Sequence, residues 1–153
     1  CLLEIGVHAL DLIRLITDDE VERLSCEMDL VPPEGAERLV MGRLVTRGGI
    51  PCQFDVSRVS SGRVGRLDLI GSQGQLTVDW CGHRLVRRAA GLAPIDEPTG
   101  ADPTLIATLR AFVQAVRTGT PPPITLDDGL RAVAVADACY RSARQGGRPV
   151  HLT

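Results

Sequence analysis

Glu4, His8 and Asp11 stand four and three residues apart in the run LLEIGVHALD at positions 2–11. Wound as an α-helix at about 100° per residue, the three fall within about 60° of one another. Leu3, Val7, Leu10, Ile13 and Ile16 take a different sector. The expectation is a mostly buried helix that projects its three ionisable groups together. A buried charge is costly unless it is paired or opens onto a cleft. A carboxylate beside an imidazole can orient the ring, fix its tautomer and favour its protonated form. Such a pair can move a proton to or from a substrate hydroxyl. Glu and His at this spacing also occur as plain surface pairs, so spacing alone leaves both readings open.

Other residue types narrow the chemistry further. All 17 basic residues are arginine, so no lysine-based chemistry can reside in this chain. The five cysteines, at positions 1, 26, 52, 81 and 139, form no C-x-x-C pair, which predicts reduced thiols in a cytoplasmic protein. Cys81 and His83 in Trp-Cys-Gly-His read as a turn beside a strand rather than as metal ligands, and no metal site is expected. Gly62-Arg-Val-Gly65 lies between strands and lacks the glycine spacing of a phosphate-binding loop.

The elements that must position these residues follow from pattern. A helix is expected from about Glu4 to Ile16. Alternation predicts strands over Val21–Val31, Arg38–Arg47, Ile50–Val59, Gly65–Ile70, Gln75–Trp80 and Arg84–Arg88. Gly48-Gly49, Ser61-Gly62 and Gly71-Ser-Gln-Gly74 separate them as short turns, which implies antiparallel pairing. Gly91–Pro103 reads as a loop that ends in Asp102, a helix N-cap, and Pro103 at the first helical position. Leu105, Ile106, Leu109, Phe112, Val113 and Val116 then mark one apolar helix face, stopped by Gly119. Thr125 and Asp128 form a capping-box pattern that opens a second helix to about Arg144. Pro149–Leu152 reads as a final strand. Strands followed by helices predict one α+β domain over residues 1–153, a mostly antiparallel open sheet with helices on one face. The other face would be solvated or joined to another subunit.

The chain has 153 residues, a mass of 16.4 kDa and 44% apolar residues, enough for one domain with its own core. A net charge of −2 and a pI near 5.9 argue against a nucleic-acid surface. No apolar run is long enough to span a bilayer. The opening on Cys1 instead of Met suggests a processed or truncated product.

Glu4-Ile-Gly-Val-His8-Ala-Leu-Asp11 closely resembles the D-x-G-x-H-x-x-D motif of the glucose–fructose oxidoreductase / inositol dehydrogenase (Gfo/Idh/MocA) family. Gly71-Ser-Gln-Gly74-Gln-Leu is similar to that family's late hairpin. Phe112-x-x-Ala115-x-x-x-Gly119-x-Pro121 is similar to its helix ending in a proline turn. Asp127-Asp-Gly129-Leu and Ala138-Cys-Tyr140-x-Ser142-Ala143 resemble the last helix, and Gly147-Arg-Pro-Val150 the closing strand. The ordered set covers nearly the whole chain.

The resemblance implies the C-terminal domain of a two-domain oxidoreductase that uses NAD or NADP on a sugar, polyol or related secondary alcohol. The cofactor would sit on a Rossmann domain of the same parent chain. No strand–G-x-G-x-x-G–helix unit occurs here, so this chain alone is expected to bind no dinucleotide and to be inactive. By position, His8 would be the general acid/base, and Glu4, where the family has Asp, would orient it or bind a substrate hydroxyl. Asp11 would support the helix, and Arg63 and Arg66 would border the substrate cleft. The sheet implies a homo-oligomer. Two alternatives stand beside this: a stand-alone, non-catalytic dimerisation scaffold without cofactor, and a cofactor-free lyase or hydrolase built on Glu4 and His8.

Overall fold

The computed structural model describes residues 1–30, 35–100 and 103–152. The chain divides into two compact units. The first comprises Cys1–Val59 with Pro123–Thr153, and the second Ser60–Pro122.

In the first unit a π-helical turn, Leu2–Gly6, runs into α1, Val7–Thr17. Strands β1 (Val21–Leu30), β2 (Glu37–Thr46) and β3 (Pro51–Ser57) follow. The unit closes with α3 (Leu126–Arg144) and β8 (Val150–His151). The sheet order is β3-β2-β1-β8, every pair antiparallel. Alternation sorts its faces: Val40, Gly42, Leu44 and Thr46 of β2 are buried, while Met41 and Arg43 are exposed. Phe54 and Val56 of β3 and Leu24 and Cys26 of β1 join the buried side. Against them α3 turns a face of small residues, Ala132, Ala136, Ala138, Cys139 and Ser142, which lets helix and sheet approach closely. Beyond the end of β8, the Cys26 amide donates to Ser142 Oγ at 2.9 Å, and that hydroxyl donates to the Arg148 carbonyl at 2.7 Å. An edge amide that would otherwise be orphaned in the core is thereby satisfied.

Glu37 opens β2 as a buried carboxylate. Burial opposes its charge, whereas a hydrogen bond from the Tyr140 hydroxyl favours it. The expected capping box is present, with Asp128 Oδ2 accepting from the Thr125 amide at 2.8 Å.

The second unit carries β4 (Arg66–Gly71), β5 (Gly74–Asp79), β6 (Arg84–Arg88), β7 (Ile95–Pro98) and α2 (Thr104–Thr118). Its strands form a second antiparallel sheet in sequence order. Antiparallel α+β architecture is as expected, but the strands divide between two sheets instead of forming one. β7 was expected to be loop. Its Ile-Asp-Glu-Pro sequence is exposed throughout and has no apolar alternation, and only backbone pairing with β6 makes it a strand. As an edge strand it tolerates Pro98. Asp102, the expected N-cap, and Val31 lie outside the described residues. Helix α2 begins at Thr104, which puts Pro103 at the N-cap instead of the expected first helical position, and its C-cap is Gly119, whose φ of 66° suits a residue without Cβ.

Gly42 opposes Phe54 across β2 and β3, and a Cβ there would lie 2.3 Å from the phenyl ring. Gly42→Val should therefore cost about 1–3 kcal/mol by overpacking, read as a lower urea midpoint. Adding Phe54→Leu should restore much of it. An unchanged midpoint for Gly42→Val would mean that the ring is not held over the glycine.

Candidate active site

The buried row of the opening helix is Leu2, Gly6, Leu10 and Arg14, each four residues after the last. This corrects the expectation of a mostly buried helix. Leu3, Ile5 and Leu15 are exposed, because a single helix resting on a sheet and α3 can bury only one stripe. Glu4 and His8 lie on the exposed side. Glu4 belongs to the π-helical turn and His8 to the first turn of α1, so no uniform α-helical wheel relates them.

Glu4 Oε2 accepts a hydrogen bond from Arg58 Nη2 at 2.6 Å. Arg58 directly follows β3, and its amide donates to the Arg38 carbonyl at 2.9 Å. The last rung of the β2–β3 ladder thus carries the guanidinium to the π turn, 54 residues away in sequence. Among the described residues the His8 imidazole makes no hydrogen bond. An exposed imidazole, with a carboxylate one turn back and a guanidinium on that carboxylate, can exchange a proton with a small molecule at the surface.

Asp11 is directed elsewhere. Its Oδ1 accepts from Arg14 Nη1 at 3.2 Å. Arg14 is only 9% exposed and grips Glu20 with two bonds, Nε to Oε2 at 2.9 Å and Nη2 to Oε1 at 2.8 Å. It also donates to the Asp128 carbonyl at 3.3 Å, and Arg131 adds a bond to Glu20 Oε1 at 2.8 Å. The cluster ties α1 to the start of α3 and to the turn entering β1. Hydrogen bonding from Arg14, opposed by burial and helped by Arg131, holds Glu20 below the usual carboxylate range. Glu20 and its carboxylate neighbours in turn raise Arg14, against its own burial.

Arg63 and Arg66 belong to the second unit. Arg63 is an exposed loop residue. Arg66 spends its Nε on Asp68 Oδ2 at 2.8 Å, and this bond, with one from Thr77, holds Asp68 down to about 2. Arg66 also lines a shallow concavity of about 220 Å³ with Thr77, Asp79, Arg84, Val86 and Arg88. Reasoning from sequence missed Arg58 and Arg14. For Arg14 a signal existed, since it continues the row Leu2, Gly6, Leu10. For Arg58 there was none, because its partner is remote in sequence.

The GFO/IDH/MocA C-terminal domain model matches residues 1–77. The chain belongs to that family. The model for the oxidoreductase family, C-terminal alpha/beta domain, matches residues 95–152. Inositol 2-dehydrogenase 1 of Saccharopolyspora erythraea is 29% identical over 154 residues, covering 96% of this chain and 45% of its own length. An uncharacterized oxidoreductase of Rhizobium meliloti, ORF334, is 28% identical over 159 residues, covering 95% and 46%. This member of the family thus spans a little under half the length of the curated relatives it matches.

Among solved structures, aldose-aldose oxidoreductase from Caulobacter crescentus, complexed with glycerol, shares the fold at a TM-score of 0.85 and 24% identity, over 99% of this chain and 47% of that one. An oxidoreductase from Agrobacterium radiobacter, in complex with NAD+, L-tartaric acid and magnesium, does so at 0.82 and 22%, over 99% and 48%.

Arg14→Met should lower stability at neutral pH by about 2–3 kcal/mol, because Glu20 loses the cation that offsets its partial burial. A carboxylate whose folded pKa is depressed contributes stability above its ordinary range, and that contribution is lost as pH falls through the depressed value. The acid limb of stability should therefore be shallower in Arg14→Met than in the wild type, the gap between the two narrowing as pH falls, measured as urea midpoints across the acid range. Coincident acid limbs would remove the Arg14–Glu20 pair from the account.

Proposed function

We propose that this chain is the substrate-binding and oligomerisation domain of an NAD- or NADP-dependent oxidoreductase acting on a sugar, polyol or related secondary alcohol, with residues 1–153 serving as one functional domain. The observation that carries the reading is the exposed His8 imidazole, without a hydrogen bond among the described residues, one turn from the Glu4–Arg58 pair. Support comes also from the inositol dehydrogenase relative and from neighbours bound to glycerol and tartaric acid, all polyhydroxylated compounds.

The sequence carries no strand–G-x-G-x-x-G–helix motif of the kind that cradles a dinucleotide pyrophosphate. The cofactor belongs in this reading to a Rossmann domain elsewhere in the parent chain, where it supplies hydride chemistry. The part assigned to this chain is the proton. His8 takes it from the reacting hydroxyl, or returns it, through an imidazole nitrogen, and Glu4 fixes the substrate beside it. Arg63 and Arg66 remain in the proposal as candidate substrate contacts of the second unit. The exposed face of β1–β3, with Glu27, Met41, Arg43 and Asp55, is the proposed oligomerising surface. Cysteines without disulfides, all five of them free, fit the proposed cytoplasmic setting.

Titrating this chain with NADH or NADPH should give no saturable binding by fluorescence or calorimetry. Saturable binding would place the cofactor site on this chain and overturn the division of labour. In the parent enzyme His8→Ala should lower kcat by about 10²-fold or more with an unchanged unfolding midpoint. Unchanged turnover would remove His8 from the mechanism.

A further inference from the structure

Helix α2 carries its large apolar side chains on the outside. Leu105, Ile106, Leu109, Phe112, Val113 and Val116 lie within about 120° of one another around its axis, and each is between 46% and 71% exposed. The covered side holds small residues, with Ala115 buried and Ala111 half-buried. An amphipathic helix ordinarily buries its apolar stripe, so α2 has the reverse orientation. The six side chains open on the order of 600 Å² to solvent, the upper end of a monomer's largest apolar patch and most of the about 800 Å² that each partner buries in a stable complex. Arg110 and Arg117, the only charged residues of α2, border the stripe, where methylene stems can extend an apolar contact while the guanidinium groups stay in water.

Spacing within the stripe identifies what fits it. Leu105, Leu109, Phe112 and Val116 stand four, three and four residues apart, the alternation that lets two helices interdigitate along a shared seam. That spacing reads the same from either end. A second α2 running antiparallel about a twofold axis therefore sets Leu109 against Phe112 and Leu105 against Val116, with every contact made twice. A lipid surface would instead select a row of cations on the polar side of the helix, and that side here is Thr108, Ala111, Gln114 and Ala115.

We propose that α2 is a self-association surface, two copies of this chain joining through an antiparallel α2 pair in which Leu109 of one copy faces Phe112 of the other. The helix belongs to the second unit and the β1–β3 face to the first. A chain that associates through both forms a larger assembly and loses only one step of it when α2 is altered.

Sedimentation velocity across a concentration series reads the outcome. The wild-type chain should associate, and Leu109→Glu and Phe112→Arg should each halve the mass of the assembly, because either substitution places an unpaired charge in the seam. An equimolar mixture of the two variants should recover the wild-type mass. Antiparallel packing sets position 109 of one variant against position 112 of the other, where the new charges neutralise. Wild-type chain that stays at 16.4 kDa at every concentration, variants that keep the wild-type mass, or a mixture no heavier than either variant alone would each overturn the α2 pair.

Both substituted positions are exposed, so the variants should keep the unfolding midpoint of the dissociated wild type. Hydrogen exchange provides a reading that needs no substitution. Amides of residues 105–116 should exchange about tenfold more slowly, or slower still, once the wild type is concentrated past its association midpoint. Exchange in α2 that is indifferent to concentration would sink the pairing even if a variant failed to fold.

Discussion

A guanidinium that is nine-tenths enclosed cannot be left to water, and the first unit is arranged around that fact. Arg14 occupies the fourth place in the inward-facing row of the opening helix, behind Leu2 and Gly6 of the π turn and Leu10 of α1. Its donors are met by Glu20 in the turn before β1, by Asp11 on its own helix and by the Asp128 carbonyl in the first turn of α3. The contact therefore sets where α1 lies against α3 and where the chain enters the sheet. Asp128 also closes the capping box with Thr125, so the beginning of α3 and the charge beneath α1 are fixed by the same residue.

Sheet packing adds a constraint of shape. The buried face of β2 carries Val40, Gly42 and Leu44, and the missing side chain at Gly42 is the space filled by the Phe54 ring. On the other side of the core, small residues bring α3 down onto β1, and Ser142 bridges the Cys26 amide to the Arg148 carbonyl. Close approach leaves no room for water, so polar groups at this boundary must be satisfied by protein. The described residues leave no buried side-chain nitrogen or oxygen without a partner.

With one stripe of α1 committed inward, the opposite side is available for contact with something else. Leu3, Ile5 and Leu15 stand exposed there, at 56%, 51% and 73%, along with Glu4 and His8. Polar groups capable of proton exchange among exposed apolar residues make a surface suited to contact with a further domain or a substrate. The same side receives Arg58 from the end of β3. The candidate site is thus assembled from a helix entry and a strand exit, two element termini whose backbones are each pinned by hydrogen bonds.

Much of this was legible in the residue order. Period-two alternation located β1 to β6, the Thr125–Asp128 spacing located the α3 cap, and Gly119 located the end of α2, because these signals act through neighbours a few residues apart. What tertiary structure alone decided depended on partners far away in the chain. The division of strands into two sheets, the existence of β7 and the meeting of Arg58 with Glu4 all rest on pairings that no local period encodes. The fate of Asp11 was decided in the same way: spacing put it beside Glu4 and His8, but the buried Arg14 three residues on offered its carboxylate a stronger, less hydrated partner.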